Sequence, residues 1–547
     1  MNGKTRAVPR RAPFLLWLVT PLAAAASPIL AFYAFQNYPI LSTEGLAFLG
    51  LAAAIALLGG CLAWLLGRLG QALLIGASLA FVVDSMIGAD VWSYDSLYKV
   101  LGAFALGALF GWLLRRHAMS VAAVGFSAVL LSTLLLPPAP YAPLGTFGAA
   151  AEGAASLPPV VHVVFDSHIG LAGIPLGIEG GRESKQAIRD FWRKWEFRGF
   201  ARAYTRYQWT HQSVPKILNP DLPRDAFIGA LLGDIRETFP DNSYFAALED
   251  AGYKLNVVQP DFMEYCQPKD SSVARCVTYP YATLAWMADS PLALGDRLTM
   301  LLIGLIKKST ILTHLNKYYE RLPVLGIEVA TIPKAARLYT PLAARQEIEA
   351  EAAFIRDAGR GQFHFLHILL PHQPYLYEGD CALKPTGAPW WVHHPTGDAA
   401  ENTTEESRRE EYRRYFEQLR CTVKLMDGFM ATILESPDFA DAVFFFHADH
   451  GSRLSRKSFR ATAPEELSLD DILDLHSVIA ALRAPGIEPG VEQTQRALDE
   501  IFVHEAGPAM GLDLPDGEVL GDRIYQFWLT PEDTNSRIMP EIPIARP

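Results

Sequence analysis

Five cysteines in 547 residues are too few for a disulfide scaffold. Charged residues are also scarce, at 20% of the chain, against about a quarter in an ordinary soluble protein. Half of the residues are hydrophobic, so disorder and collagen-like repeats are excluded. Basic charge is in deficit, and the net charge of −11 argues against a nucleic-acid partner, since phosphate binding needs a basic surface. No internal repeat is found.

What is present is apolar mass concentrated before residue 137. Five stretches can be cut from it, at 13–35, 45–66, 69–88, 97–114 and 118–136, each close to the roughly 20 residues a helix needs to cross a bilayer. A cleaved signal peptide has one such segment, so five in series predict a polytopic membrane region over 1–137. Lys4, Arg6, Arg10 and Arg11 precede the first stretch, Arg68 separates the second and third, and Arg115 and Arg116 the fourth and fifth. The alternate loops hold Glu44, Asp90 and Asp95 instead. The positive-inside rule puts the N-terminus in the cytoplasm, and five spans then put the rest outside. The expectation is a multi-pass protein of the cytoplasmic (inner) membrane with a periplasmic domain. Asp84 falls inside the third stretch, where an acid is a functional candidate; close to the outer leaflet, it is expected simply to reach water.

A linker rich in Pro, Ala and Gly covers 138–158, and the extracytoplasmic domain is expected over 159–547. Its "VVHVVFD" run (160–166) is continuously apolar and ends in an acid, which suits a buried parallel strand. Runs at 252–259, 363–370 and 442–450 read as further strands. Between the last two, Tyr412, Tyr415, Phe416, Leu419, Val423, Met426, Phe429 and Met430 recur at helical spacing, predicting a long helix over 410–434. Strands alternating with helices predict an α/β domain, a mostly parallel sheet flanked by helices, with its chemistry beyond the C-terminal strand edge. A shorter apolar run at 298–312, followed by Lys307 and Lys308 within it, fits a helix on the membrane surface or a core helix of the soluble domain equally well.

Asp166, His372 and the pair Asp449–His450 all sit at strand ends, and Gly451 lets the backbone turn beneath the pair. Oxygen and nitrogen donors of this kind suit a divalent metal ion, Zn or Mn. Singly, each is more often a structural group; together they point to a site.

At "THQSVP" (Thr210 to Pro215) the sequence resembles the alkaline phosphatase superfamily, in particular its sulfatase-like branch of membrane-anchored enzymes. That branch includes phosphoethanolamine transferases and lipoteichoic acid synthases, which have five spans and one extracytoplasmic catalytic domain. "VVFDS", "EDAGYKL", "PHQPY", "HADHGSR" and "LRAPG" fall in family order. The segment matches the transferases' Thr-x-x-Ser-Val-Pro pattern, so the resemblance implies that Thr210 is the nucleophile and a metal ligand. Asp166, Asp449 and His450 would complete the metal shell. His372 would contact the phosphate or leaving group. Arg453, three residues past His450, is a candidate to hold a phosphate oxygen, with a solvated surface role at least as open. His211 and Lys216 flank the nucleophile, with a surface role equally open. The sulfatases' Cys/Ser-x-Pro-x-Arg pattern is not kept, since Thr210, Gln212 and Val214 stand at its three defined positions. A formylglycine cofactor is therefore not expected.

The function implied is a metal-dependent, sulfatase-like hydrolase or transferase. It would move a phospho-headgroup from a lipid donor, through a phosphothreonine intermediate, to an envelope glycan or lipid. Its partners are membrane lipids and those donors and acceptors, and no nucleic acid. The alternatives are a phosphate- or sulfate-ester hydrolase of the same fold, or an inactive scaffold of an envelope-polymer assembly. An oxidising exterior also predicts that at least one of the pairs Cys266–Cys276 and Cys381–Cys421 is bridged.

Overall fold

A computed structural model describes residues 12–86, 94–114, 117–137, 147–148, 153–221, 237–238, 242–261, 263–268, 271–279, 284, 287–288, 292–310, 340–384, 404–454, 457, 462–516, 523–525, 528–529, 537–538 and 541–543. The chain divides into two compact units, one of Met1–Ala142 with Thr283–Ala336 and one of Pro143–Ala282 with Arg337–Pro547.

The first unit contains five apolar helices, α1 (Phe14–Phe35), α2 (Thr43–Leu66), α3 (Arg68–Met86), α4 (Tyr94–Leu113) and α5 (Ala118–Leu135). Four are long and apolar enough to cross a membrane, and α4 supplies a shorter apolar stretch, Tyr98–Leu113. On α2, Leu51, Ile55, Leu58 and Leu62 recur at helical spacing and are 60 to 65% exposed, the reverse of a soluble helix and the kind of surface a lipid phase covers. α3 and α4 approach closely because both carry glycine at the contact: a Cβ on Gly107 would stand 3.0 Å from Gly76 Cα. Of the basic residues used for orientation, Arg68 is described, donating to Trp112 O at 2.9 Å. Lys4, Arg6, Arg10, Arg11, Arg115 and Arg116 lie outside the described residues.

The run at 298–312 belongs to this unit. It forms α9 (Leu294–Lys308), which packs on α2. Near its start Arg297 pairs with Glu44 at 3.4 Å. Just past its end Ser309 Oγ donates to Asp84 Oδ2, and Thr310 N to Asp84 Oδ1 at 2.8 Å. The expectation for Asp84 is thereby corrected. Its side chain is buried and satisfied by two protein donors, because a returning chain segment takes the place of water. The side chains of Lys307 and Lys308 lie outside those described.

The second unit is built on a sheet of nine strands: β1 (Phe147–Gly148), β2 (Val160–Asp166), β3 (Arg198–Tyr204), β4 (Lys254–Pro260), β5 (Val273–Tyr279), β6 (Gln362–Pro371), β7 (Val443–Ala448), β8 (Ala480–Arg483) and β9 (Gly490–Ala497). Their order is β1-β5-β4-β6-β2-β7-β8-β3-β9. The five strands β5, β4, β6, β2 and β7 are parallel neighbours, as is the pair β3–β9, while β1 and β8 run antiparallel to theirs. Every residue of β2, β6 and β7 is buried, so these continuous apolar runs form the middle of the core. Helices α6 (Gly181–Lys194), α10 (Thr340–Ala358) and α11 (Glu405–Ile433) pack together and on the sheet, α10 and α11 against β6.

Register positions the site. Phe165 lies opposite Ala448 and Asp166 opposite Pro371. Three strands therefore end side by side, and Ser167, His372 and Asp449 leave the sheet from one edge. Both cysteine pairs are bridged, Cys266–Cys276 and Cys381–Cys421.

Candidate functional site

Asp166 is the last residue of β2, and Asp449 and His450 follow β7 directly. One ligand atom from each lies within 4.8 Å of the others. All three are buried, with Asp449 and His450 at 0% exposure. Gly451 is required by a close approach, since a Cβ there would meet Asp474 O at 2.3 Å. Thr210 is the first residue of α7 (Thr210–Leu218), and its Oγ1 donates to Asp449 Oδ2 at 2.6 Å. The four residues come from three distant segments and meet at one point.

Ser167, which sequence reasoning missed, ties the two acids together. Its Oγ donates to Asp166 Oδ1 at 2.8 Å and its N–H to Asp449 Oδ1 at 3.1 Å. To do so it takes a left-handed backbone with φ of 66°, a strained conformation for a residue with a side chain that is found where geometry serves a site. Tyr415 of α11 fixes this corner from below, donating to Ser167 O and accepting from Ile169 N, both at 2.9 Å.

The electrostatics of the cluster ask for a cation. His450 Nδ1 faces Gly451 O at 2.8 Å. A carbonyl only accepts, so the proton is on Nδ1 and the lone pair is on Nε2. That lone pair points between Asp166 Oδ1 at 3.5 Å and Asp449 Oδ2 at 3.3 Å, and Nε2 has no hydrogen-bond partner. A lone pair facing two carboxylates is repulsive at this burial. Burial and the charge of Asp166 raise the Asp449 pKa well above its ordinary value. At Asp166 burial also pushes upward, but nearby positive charge, that of His372 first and of Arg453 with it, outweighs it and holds the carboxyl below the usual range. His450 is kept neutral by burial and by Arg453. Two acids and a neutral imidazole whose other N–H is held by a carbonyl form the donor set of a divalent ion, so the residues fit a metal.

His372 follows β6 and is mostly buried. It lies outside the group of three potential ligands yet is the largest cationic influence on Asp166. Its Nδ1 donates to Gln373 O at 2.6 Å, which leaves Nε2 as the atom able to exchange a proton. Arg453, also in a left-handed backbone (φ of 58°), stacks its guanidinium 4.4 Å from the Trp209 ring centroid and donates to Gln208 O at 3.4 Å. It therefore stands beside the residue that precedes Thr210. His211 stacks on Trp209. Lys216 turns away to donate to Pro220 O at 2.6 Å, closing the C-terminus of α7.

No family model matches the chain, and no curated protein matches it. Among solved structures it is similar to a 2-O GAG sulfatase, with 11% identity, 68% of this chain and 78% of that chain covered, and a TM-score of 0.39. For a phosphonate monoester hydrolase of Agrobacterium radiobacter the values are 11%, 68%, 80% and 0.41. A protein in the alkaline phosphatase superfamily from Vibrio parahaemolyticus gives 13%, 70%, 75% and 0.35.

Proposed function

We propose that the chain is a membrane-anchored, metal-dependent enzyme of the sulfatase-like type. In this reading it transfers a phospho-headgroup from a lipid donor to an envelope glycan or lipid through a phosphothreonine on Thr210. The observation that carries the reading is the 2.6 Å bond from Thr210 Oγ1 to Asp449 Oδ2, at the point where Asp166, Asp449 and His450 converge.

Asp166, Asp449 and His450, with Thr210 Oγ1, would hold the ion. When bound, it supplies Lewis acidity that activates the hydroxyl and neutralises phosphate charge. Thr210 forms the new P–O bond and passes its proton toward Asp449 Oδ2. The bond to the donor's oxygen breaks, and that oxygen takes a proton from His372 Nε2. In the second half His372 takes the proton of the acceptor hydroxyl, which displaces Thr210, and Asp449 returns the first proton. The N-terminus of α7 presents its positive end to the anionic group bound at Thr210, and Arg453 stands ready for one of its oxygens. Both disulfides support an oxidising, extracytoplasmic setting.

The test is envelope lipid and glycan analysis of a strain lacking the protein, complemented by wild type or Thr210→Ala. The reading expects one phospho-modified glycan or lipid to vanish and to return only with wild type. Full restoration by Thr210→Ala would refute it and favour the scaffold.

A further inference from the structure

His372 owes its position to a loop, and one side chain reads that loop on both sides. Gln418 is completely buried on α11, where the helical stripe otherwise carries Tyr415, Phe416, Leu419 and Met426. Its Oε1 accepts from Leu376 N at 2.7 Å. Its Nε2 faces three carbonyls, Pro371 O at 3.1 Å, His372 O at 2.8 Å and Pro374 O at 3.1 Å. The loop cannot pair these groups in the sheet, because β6 ends at Pro371 and Pro374 has no N–H. A primary amide supplies in one group both the N–H donors for the carbonyls and the acceptor for the N–H.

The same helix holds the far end of the loop. Cys421, one turn beyond Gln418, is bridged to Cys381, and Lys424 Nζ donates to Asp380 O at 2.9 Å. From α10, Arg345 donates to Cys381 O at 3.2 Å. The segment from Pro371 to Cys381 is thus pinned at both ends, and the amide sits at the end that bears the histidine.

We propose that Gln418 is the positioning residue for His372, fixing the backbone path that aims its imidazole at the leaving group. This rests on the proton-donor role of His372 given above. The amide contributes orientation, and the chemistry is the histidine's.

The test uses the full-length, metal-loaded protein with Gln418→Met, Gln418→Glu, His372→Ala and the double variant His372→Ala/Gln418→Met. The first readout is hydrogen exchange of the peptide covering 372–377. Gln418→Met removes the acceptor for Leu376 N–H and should raise exchange at least tenfold. Gln418→Glu keeps that acceptor and, protonated by its burial among carbonyls, has one donor in place of two, so it reports on the donor side of the loop even if the Met variant folds poorly. The second readout is hydrolysis of methyl 4-nitrophenyl phosphate and methyl phenyl phosphate. The phenolate needs a proton more than the nitrophenolate does, so loss of a positioned acid should slow the phenyl ester at least tenfold more. The proposal expects Gln418→Met to reproduce the leaving-group dependence of His372→Ala, and the double variant to be no slower than His372→Ala. Equal loss on both esters, or full additivity in the double variant, would overturn it by making Gln418 a packing residue. Absence of leaving-group dependence in His372→Ala would remove the acid role itself. Exchange at 372–377 unchanged in both Gln418 variants would overturn the proposal whatever the esters show.

Discussion

Two carboxylates and one imidazole lone pair, all buried and converging on one point, form an oxygen and nitrogen donor set suited to a divalent cation. Asp449→Asn keeps the shape and removes one charge, so binding of Zn2+ or Mn2+ should weaken by at least about 100-fold on calorimetric titration, whereas Thr210→Ala removes a neutral donor and should stay within about tenfold. Unchanged binding in Asp449→Asn would mean that the cluster is not the ligand set. Asp474, which is not one of the proposed ligands, offers a separate, pH-dependent check. It accepts from Arg408 at 2.7 Å and from Tyr412 OH, and its backbone carbonyl accepts from Arg453 N at 3.1 Å. Burial raises its pKa to about 7, more than Arg408 pulls it down. Unfolded, it loses its proton near pH 4. Between these values the folded state holds the extra proton, so this residue's contribution to stability falls as pH rises from about 4 to about 7. Thermal unfolding at pH 5 and pH 8 should show a smaller decline for Asp474→Asn than for wild type. An unchanged decline would place the titration elsewhere. In the sequence, Asp166, Asp449 and His450 are visible because each ends an apolar run. Ser167 and Gln418 are not, because Ser167 acts through the Asp449 carboxylate, 282 residues away, and Gln418 through backbone groups such as Leu376 N–H, 42 residues away.

Elements that bury one face were legible, and those held by pairing alone were not. The stripe of α11 is evident from Tyr412 onward, yet the helix begins at Glu405. Its first turns are charged and lack the stripe; they are set by a capping box between Thr404 and Ser407. β3, "RGFARAY", carries basic residues and alanines and declares no strand by itself. It forms because β8 and β9 offer partners on both sides. The bridge Cys381–Cys421 joins the His372 loop to α11 across 40 residues. Replacing both cysteines by serine should cost about 2–4 kcal/mol, read as a lower unfolding midpoint on which reductant has less effect than in wild type, since Cys266–Cys276 alone is left to reduce. If reductant lowers the midpoint as much in the double serine variant as in wild type, the stabilising bridge is the other one.

For the molecule as a whole, hydropathy foretold the N-terminal helices, and apolar strand runs alternating with helical stretches foretold the α/β sheet. Composition could not foretell that α9, which follows β5 in the chain, belongs with the N-terminal helices. That assignment rests on Arg297, Ser309 and Thr310 meeting Glu44 and Asp84, buried polar pairs that carry no periodic signal. Sidedness is testable directly: reporter fusions after residues 137 and 547 should be active only outside the cytoplasm, and a cytoplasmic signal from either would remove the envelope substrate. The proposed function turns on phosphorylation of Thr210. The full-length protein, mixed with a membrane lipid extract, acid-quenched and digested, should yield a peptide containing Thr210 that carries a phospho-headgroup, which does not form when the metal is chelated beforehand and is absent in Thr210→Ala. Turnover that persists in Thr210→Ala, or a label on any other residue, would contradict the account.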